Sequence, residues 1–427
     1  MGSDETGGSQ ASGGTPLLRW SKERRRRPTK PRGSLRVAGL FAGIGGIELG
    51  LARAGHQTLL MSENDPGAVA VLGDRFPNIP IHQDVRELNR LPRGTDLIAA
   101  GFPCQDLSQA GSTRGIDGER SGLVGEVFRL LSTRRVPWIL LENVPFMLSL
   151  GRGRALEVII NELEHLGYRW AYRVVDSRSF GLPQRRLRVF LVASLVGDPR
   201  DVLLVDDAGE PKEESAETRP ACGFYWTEGV RGLGWARDAV PTLKGGSSVG
   251  IPSPPAIWLS TGEIVKPDIR DAERLQGFRA GWTTPAATAV RKSFRWRLVG
   301  NAVSVPVSTW IGRRLANPGE YDGTWDEPLE VGSRWPRAAW NLGDGRYSSA
   351  VSSFPVRRRS RPLEEFLRFD PEPLSVRATA GFLSRARSDK TRLRFPPGFL
   401  SAVSAHLDRM QRGGASSHSD SSSSITA

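Results

Sequence analysis

Two cysteines occur in the 427 residues, Cys104 and Cys222. They cannot form a disulfide scaffold for a chain this size, and no Cys/His spacing resembles a zinc site, so no metal is expected. A lone cysteine is more often a small buried apolar residue than a nucleophile. The setting of Cys104 favours the nucleophile. It stands in Gly101-Phe102-Pro103-Cys104-Gln105, directly after the apolar run 96–101 and ahead of a polar, glycine-containing stretch, 105–122, that reads as a mobile loop. At the carboxyl end of a strand an α/β enzyme places its ligands, and an accessible thiolate is useful there. Cys222 lies in an irregular stretch and keeps the plain reading.

A second constellation is Phe41-Ala42-Gly43-Ile44-Gly45-Gly46, between an apolar run and a helical one. Glycines there let the backbone turn tightly and approach a ligand that faces helix amides. Glu63 closes the next apolar run, near the spacing of about 20 residues at which an acid holds a ribose hydroxyl in such folds. Asp84 follows a third short apolar run and is placed to accept from an adenine amino group. The glycines alone fit a plain tight turn. Strand, turn, helix, strand and acid together point to an adenosine-containing cofactor, either a nicotinamide dinucleotide or S-adenosylmethionine.

The elements that must hold these residues are legible. Runs 35–41, 57–62, 96–101, 138–143 and 188–194 are short and apolar, as buried strands are, and 46–54, 66–76, 123–132 and 154–166 have helical spacing between them. This alternation implies an α/β fold with a doubly wound mixed sheet over 35–194. No internal repeat is visible. From 195 to 269 glycine, proline and scattered aromatics replace periodicity, which suggests a small irregular second domain. Helical spacing returns at 270–276 and 305–315, so 270–316 is assigned back to the first domain. The stretch 317–412 reads as partly ordered with an open role. Residues 1–34 and 413–427 read as a disordered basic arm and a disordered serine-rich tail.

The formal net charge of +13 fits either solubility or attraction to phosphates. No apolar run is long enough to span a bilayer and the first residues do not read as a secretory signal, so no membrane partner and a cytoplasmic location are expected.

The blocks 41–46, 101–105, Glu142-Asn143-Val144, Gln184-Arg185-Arg186-Leu187-Arg188 and Gly300-Asn301-Ala302-Val303 resemble, in order and spacing, the cytosine-5 DNA methyltransferase family of the bacterial restriction-modification type. The resemblance covers residues 37 to about 315. It implies a sheet of the S-adenosylmethionine-dependent methyltransferase type, with Cys104 adding to C6 of a cytosine flipped out of duplex DNA. Glu142 then matches the acid that protonates N3, and Arg188 the arginine that contacts the base near O2 and Cys104. Arg186 matches the other arginine of that block, although a basic hairpin also fits phosphate binding alone. Gln184 and Asn143 look like scaffold polar groups.

For S-adenosylmethionine, the resemblance assigns Phe41, Gly43 and Gly45 to the methionine and backbone contacts, Glu63 to the ribose and Asp84 to the adenine. Pro103 and Asn301 match positions lining that pocket. Asn64 departs from the pattern, standing where the family often has an aromatic or apolar residue, which implies weaker adenine stacking. Gln105, Ser108, Thr242 and Leu243 are expected DNA contacts, and 195–269 occupies the place of the family's target-recognition region.

The implied enzyme methylates a specific duplex site as a nucleoid-associated bacterial monomer, with a genetically linked restriction endonuclease as an expected partner. A transfer-RNA methyltransferase shares these blocks. An inactive DNA-binding relative conflicts with intact Cys104 and Glu142. A nicotinamide-dependent oxidoreductase would explain the glycine turn and Glu63 but not Cys104 with Glu142 and Arg188.

Overall fold

A computed structural model of the chain describes residues 33–102, 122–211, 220–246, 253–330 and 332–419, with only the backbone over 413–419. The first strand, β1 (Arg36–Leu40), runs into a turn with Phe41, Gly43 and Gly45 at positive φ, and helix α1 (Gly46–Arg53) follows. β2 (Gln57–Ser62) leads into α2 (Pro66–Arg75). α2 starts where it does because the Asp65 carboxylate accepts from the Gly67 and Ala68 amides, with Pro66 in the first turn. β3 (Ile81–His82), β4 (Leu97–Gly101), α3 (Leu123–Thr133), β5 (Trp138–Asn143) and α4 (Arg154–His165) continue the alternation. These bounds differ by a residue or two from those the periodicity gives, as frayed element ends do.

The strand order is β3-β2-β1-β4-β5, all parallel, and then antiparallel β8 (Leu187–Ser194) and β6 (Arg169–Asp176). The chain winds one way from β1 to β3 and the other way from β4 to β5. The crevice at the carboxyl ends of β1 and β4 is therefore the topological switch point, where open α/β sheets bind ligands. The sheet is doubly wound and mixed, as the strand–helix alternation implies.

β6 was not legible because Arg173 interrupts its apolar run. That arginine is fully buried and its Nε and Nη1 donate to the Ser352 and Leu203 carbonyls at 2.8 and 3.1 Å, with Nη2 on the Asp207 carboxylate.

After β7 (Gln184–Arg185) and β8 comes the short α5 (Arg200–Leu203), whose Val202 and Leu203 join the core on the α1 face of the main sheet. Residues 198–204 thus pack with the first domain, not with the irregular one.

Beyond them, β9 (Cys222–Phe224), β10 (Trp235–Arg237), β12 (Ala256–Trp258) and β13 (Ile264–Lys266), with the distant β17 (Glu372–Pro373), form a second, antiparallel sheet of order β10-β9-β12-β13-β17. β11 (Val240–Pro241) instead pairs with β7, stitching this region to the first domain. α6 (Ile269–Leu275) buries Ala272 and Leu275 in a core shared with Val240, Ile257 and Val265, α7 (Arg295–Asn301) bridges from that core to α2, and α8 (Val305–Ala316) packs on α1.

The stretch after 317 divides between both sheets. β14 (Glu327–Pro328), β15 (Ala338–Asn341) and β16 (Arg346–Ser348) extend the main sheet beyond β6. α9 (Leu363–Phe366), β17 (Glu372–Pro373), α10 (Val376–Ala386) and α11 (Phe399–Ser419) belong with the second. Phe382 and Phe399 seat their rings 4.7 and 5.0 Å from that of Phe224 on β9. α11 extends past 412, where glycines and serines of low helical propensity end the sequence pattern.

Candidate active site

Strand pairing assembles the site. β4 and β5 lie side by side with Gly101 opposite Glu142, and β5 pairs with β8. Glu142 is 7% exposed, and its Oε1 lies 3.1 Å from the Arg188 Nε. Burial pushes the carboxyl above the usual carboxylate range, and the positive charges of Arg188 and Arg186 pull only part of the way back. A carboxyl so placed holds its proton more readily than one in water.

A side chain at Gly101 would meet the Glu142 Oε2 at 3.4 Å, so the backbone passes the acid at close range. One residue on, the Phe102 carbonyl accepts from the Asn143 Nδ2 at 3.1 Å. The segment carrying Cys104 therefore departs from beside Glu142. Pro103, Cys104, Gln105 and Ser108, and the loop expected over 105–121, lie outside the described residues.

Arg186 has a different setting. It is fully buried, with Nη1 donating to the Leu243 carbonyl at 2.9 Å and Nη2 to those of Gly300 and Ala302 at 3.0 and 2.6 Å. It pins three chain segments together. Gln184 joins this seam, accepting from the Leu243 amide at 3.0 Å and donating to the Leu275 carbonyl at 2.8 Å. Leu243, expected to face DNA, is a correction: its side chain is buried among apolar neighbours that include Val240 and Val299. Thr242 remains partly exposed, its hydroxyl donating to the Arg185 carbonyl at 2.8 Å.

On the other side of the switch point, Glu63 accepts three backbone N–H groups, from Gly43 at 2.7 Å on one oxygen and from Asn64 and Asp65 at 3.0 and 2.9 Å on the other. A carboxylate offers about four acceptor sites, so one is left for a ligand hydroxyl. Gly43 faces open space, with nothing within 4 Å of a Cβ built there, so a ligand can approach its backbone. Behind the turn the fit is tight: a Cβ on Gly46 would come within 2.4 Å of the Val303 carbonyl.

Phe41 is partly buried against the main core, and Asn64 is exposed. Asp84 is already engaged, with its carboxylate paired to Arg86 at 2.7 Å. That hydrogen-bonded partner holds Asp84 below the usual carboxylate range. Asn301 ends α7 and borders the second domain, since a Cβ on Gly245 would meet its Oδ1 at 2.2 Å.

A family profile described as C-5 cytosine-specific DNA methylase matches residues 35–220. The Type II methyltransferase M2.BsuMI of Bacillus subtilis (strain 168) is 50% identical over 387 residues, covering 88% of this chain and 99% of that protein. The chain belongs to the C-5 cytosine-specific DNA methylase family.

Two further relatives are similar over less of this methylase. M.MspI of Moraxella sp is 29% identical over 65% of the chain and 69% of its own length. M.Bsp6I of Bacillus sp. (strain RFL6) is 29% identical over 66% of the chain, yet 98% of M.Bsp6I is covered. About a third of the present chain therefore has no counterpart in that match. The part left out of the M2.BsuMI match is too small to hold the whole stretch after 317, so that likeness reaches into it. The methylase is a DNA (cytosine-5-)-methyltransferase, an enzyme class that uses S-adenosylmethionine.

Two further features of this region are not legible in the sequence. Glu48 on α1 is a buried carboxyl, and Tyr225 carries the Lys244 ammonium 4.0 Å over its ring, with its hydroxyl donating to the Thr242 carbonyl at 2.8 Å. Irregular sequence around the second gave no periodic signal.

Proposed function

We propose that the enzyme flips a cytosine out of a specific duplex site and methylates C5 by covalent catalysis through Cys104. The thiolate adds to C6 while Glu142 donates a proton to N3, which makes C5 nucleophilic enough to take the methyl group. Loss of the C5 proton to water, departure of the thiolate and return of the N3 proton to Glu142 then release 5-methylcytosine. Bound S-adenosylmethionine supplies the electrophilic methyl group. Phe41, Gly43 and Gly45 would hold its methionine end, Glu63 its ribose and Asp84 its adenine, with Pro103, Asn64 and Asn301 along the pocket.

The observation that carries this reading is the Glu142–Arg188 pair, buried beside the point from which the Cys104 segment departs. Burial keeps Glu142 able to carry the proton it must give, and Arg188 fixes its direction while offering a cation near the thiolate and the base. Arg186, committed to three carbonyls, acts as a positioning residue that holds β7 and the Gly300-Asn301-Ala302 block in register. Thr242, with Gln105 and Ser108, would face the DNA.

We place the enzyme as a monomer on chromosomal DNA in a bacterial cytoplasm, where methylation shields a site from a linked restriction endonuclease. Mapping 5-methylcytosine in DNA from cells expressing the protein tests the reading. One short sequence methylated throughout the genome supports it. Unmodified DNA alongside methylated transfer RNA would overturn it.

A further inference from the structure

The stretch after 317 holds the feature that the catalytic blocks do not absorb. Its later part folds onto the second sheet, and the loop 388–398 between α10 and α11 comes to lie against residues 226–235. The loop is fixed there: the Trp235 Nε1 donates to the Arg394 carbonyl at 2.9 Å, and the Thr391 hydroxyl to that of Arg385 at 2.6 Å. Between the two segments runs a cleft of about 780 Å³ with Leu233 and Leu393 in its lining and Arg231, Lys390 and Arg392 around it.

All three cations are exposed, as is Arg394 beside them, and among the described residues none forms a salt bridge. One carboxylate, Asp389, stands among them. Three unpaired cations around one cleft, with Arg394 next to them, form a surface suited to an anion with several charges in a row.

The cleft is tied to the active site by a continuous line of contacts. The Thr242 hydroxyl donates to the Arg185 carbonyl, and the Tyr225 hydroxyl to the Thr242 carbonyl. Lys244 lies over Tyr225 and bridges to Glu228 at 3.1 Å, and Glu228 packs against Gly232, next to Arg231.

We infer that this cleft seats the sugar–phosphate backbone of the duplex beside the target base, so that 388–398 forms part of the DNA-binding surface. The inference rests on the DNA-methylating reading and names a contact outside the blocks that define it. Cations on two segments fix the register of the duplex without reading its sequence. DNA binding then draws on the middle and the later part of the chain, with β17, α10 and α11 holding the phosphate-contacting loop against the strands of 222–266.

The test uses the full-length enzyme with Lys390→Gln combined with Arg392→Gln, with Arg231→Gln as a separate variant. Affinity for duplexes with and without the methylated sequence is measured between about 50 and 200 mM salt. Affinity should fall equally on both duplexes, and the slope of log affinity against log salt should drop by about one per lost contact, hence about two in the double variant. The rate at saturating DNA and the methylated sequence should stay as in the parent. Arg93→Gln, an exposed cation before the amino end of β4, should leave the slope unchanged.

Unchanged affinity and slope in both cleft variants would overturn the assignment, as would a loss confined to the target duplex or an equal loss in Arg93→Gln. Methylation of DNA by the parent enzyme is scored separately, so failure of the cleft and failure of the catalytic reading are distinguishable.

Discussion

In the main sheet, β1 and β2, and β2 and β3, are parallel neighbours joined by short stretches of chain, and β4 and β5 are parallel neighbours as well. In the second sheet the outer pair is β13 with β17, where Lys266 meets a glutamate 106 residues further on. The first arrangement writes itself into local periodicity, because each strand and the helix after it form one unit. The second does not, because its core closes only when Phe382 and Phe399 reach Phe224 from the far end of the chain. The chemistry proposed to be common to every target site lies on the locally encoded sheet. The surface proposed to face variable DNA lies on the one assembled at long range.

The largest expected effect separates the two regions most sharply. Glu142→Gln should slow single-turnover methyl transfer by roughly 10²–10⁴-fold, as loss of a general acid does, with DNA affinity nearly unchanged. In the parent, the rate component that needs the protonated carboxyl should fall as pH rises through a value above the ordinary glutamate range, and this limb should vanish in the glutamine variant. Rapid-quench assays across pH check both. A loss of DNA binding with an intact rate would make Glu142 a structural residue.

Phe382→Ala probes the other region. Removing this fully buried ring should cost about 3–5 kcal/mol in the packing of the second sheet. DNA affinity should collapse while S-adenosylmethionine binding, followed calorimetrically, persists. Equal loss of both would show that the two sheets unfold as one unit. For the same reason, exchanging 195–269 alone for a relative's segment strips that sheet of matched partners, so transfer of target specificity should require 363–412 as well.

The smallest effect concerns Glu48, whose carboxyl fills the space that a side chain at Gly39 would occupy, 2.2 Å from the built Cβ. Neither oxygen has a hydrogen-bond partner among the described residues, and burial, with the nearby Glu63 charge adding, pushes it up to about 8. The folded state keeps a proton that the unfolded chain releases near 4.5, so stability should decline as pH rises between those values. The slope is at most about 1.4 kcal/mol per unit. Glu48→Gln removes that decline. Thermal melts at pH 6 and 8 should therefore converge in the variant and differ in the parent, and an unchanged difference would show that Glu48 already ionises freely.

Legibility followed the same divide. The Gly43 turn, Glu63, Glu142 and Arg188 fall at strand ends, where an apolar run stops and a polar residue of defined type begins, so sequence alone places them within a residue or two. β6 was missed because a buried arginine looks like an exposed one until its carbonyl partners are known. Leu243 was misplaced for the converse reason, since a motif position says nothing about which neighbour covers it. Arg186 matched a motif in type while its buried carbonyl partners were set by residues 57 to 116 positions away. The fate of the stretch after 317 depends on pairings with β6 and β13 that no local window contains.

The central claim is that Cys104 bonds to C6 of the target cytosine, and trapping tests it most directly. A duplex carrying 5-fluorocytosine at the methylated position, incubated with enzyme and S-adenosylmethionine, should yield a stable protein–DNA adduct, because fluorine cannot leave as the C5 proton does. Peptide mapping should place the link on Cys104, and Cys104→Ser should give neither adduct nor methyl transfer. Methylation of ordinary DNA without any adduct on the fluorinated duplex, or a link at Cys222, would contradict the account.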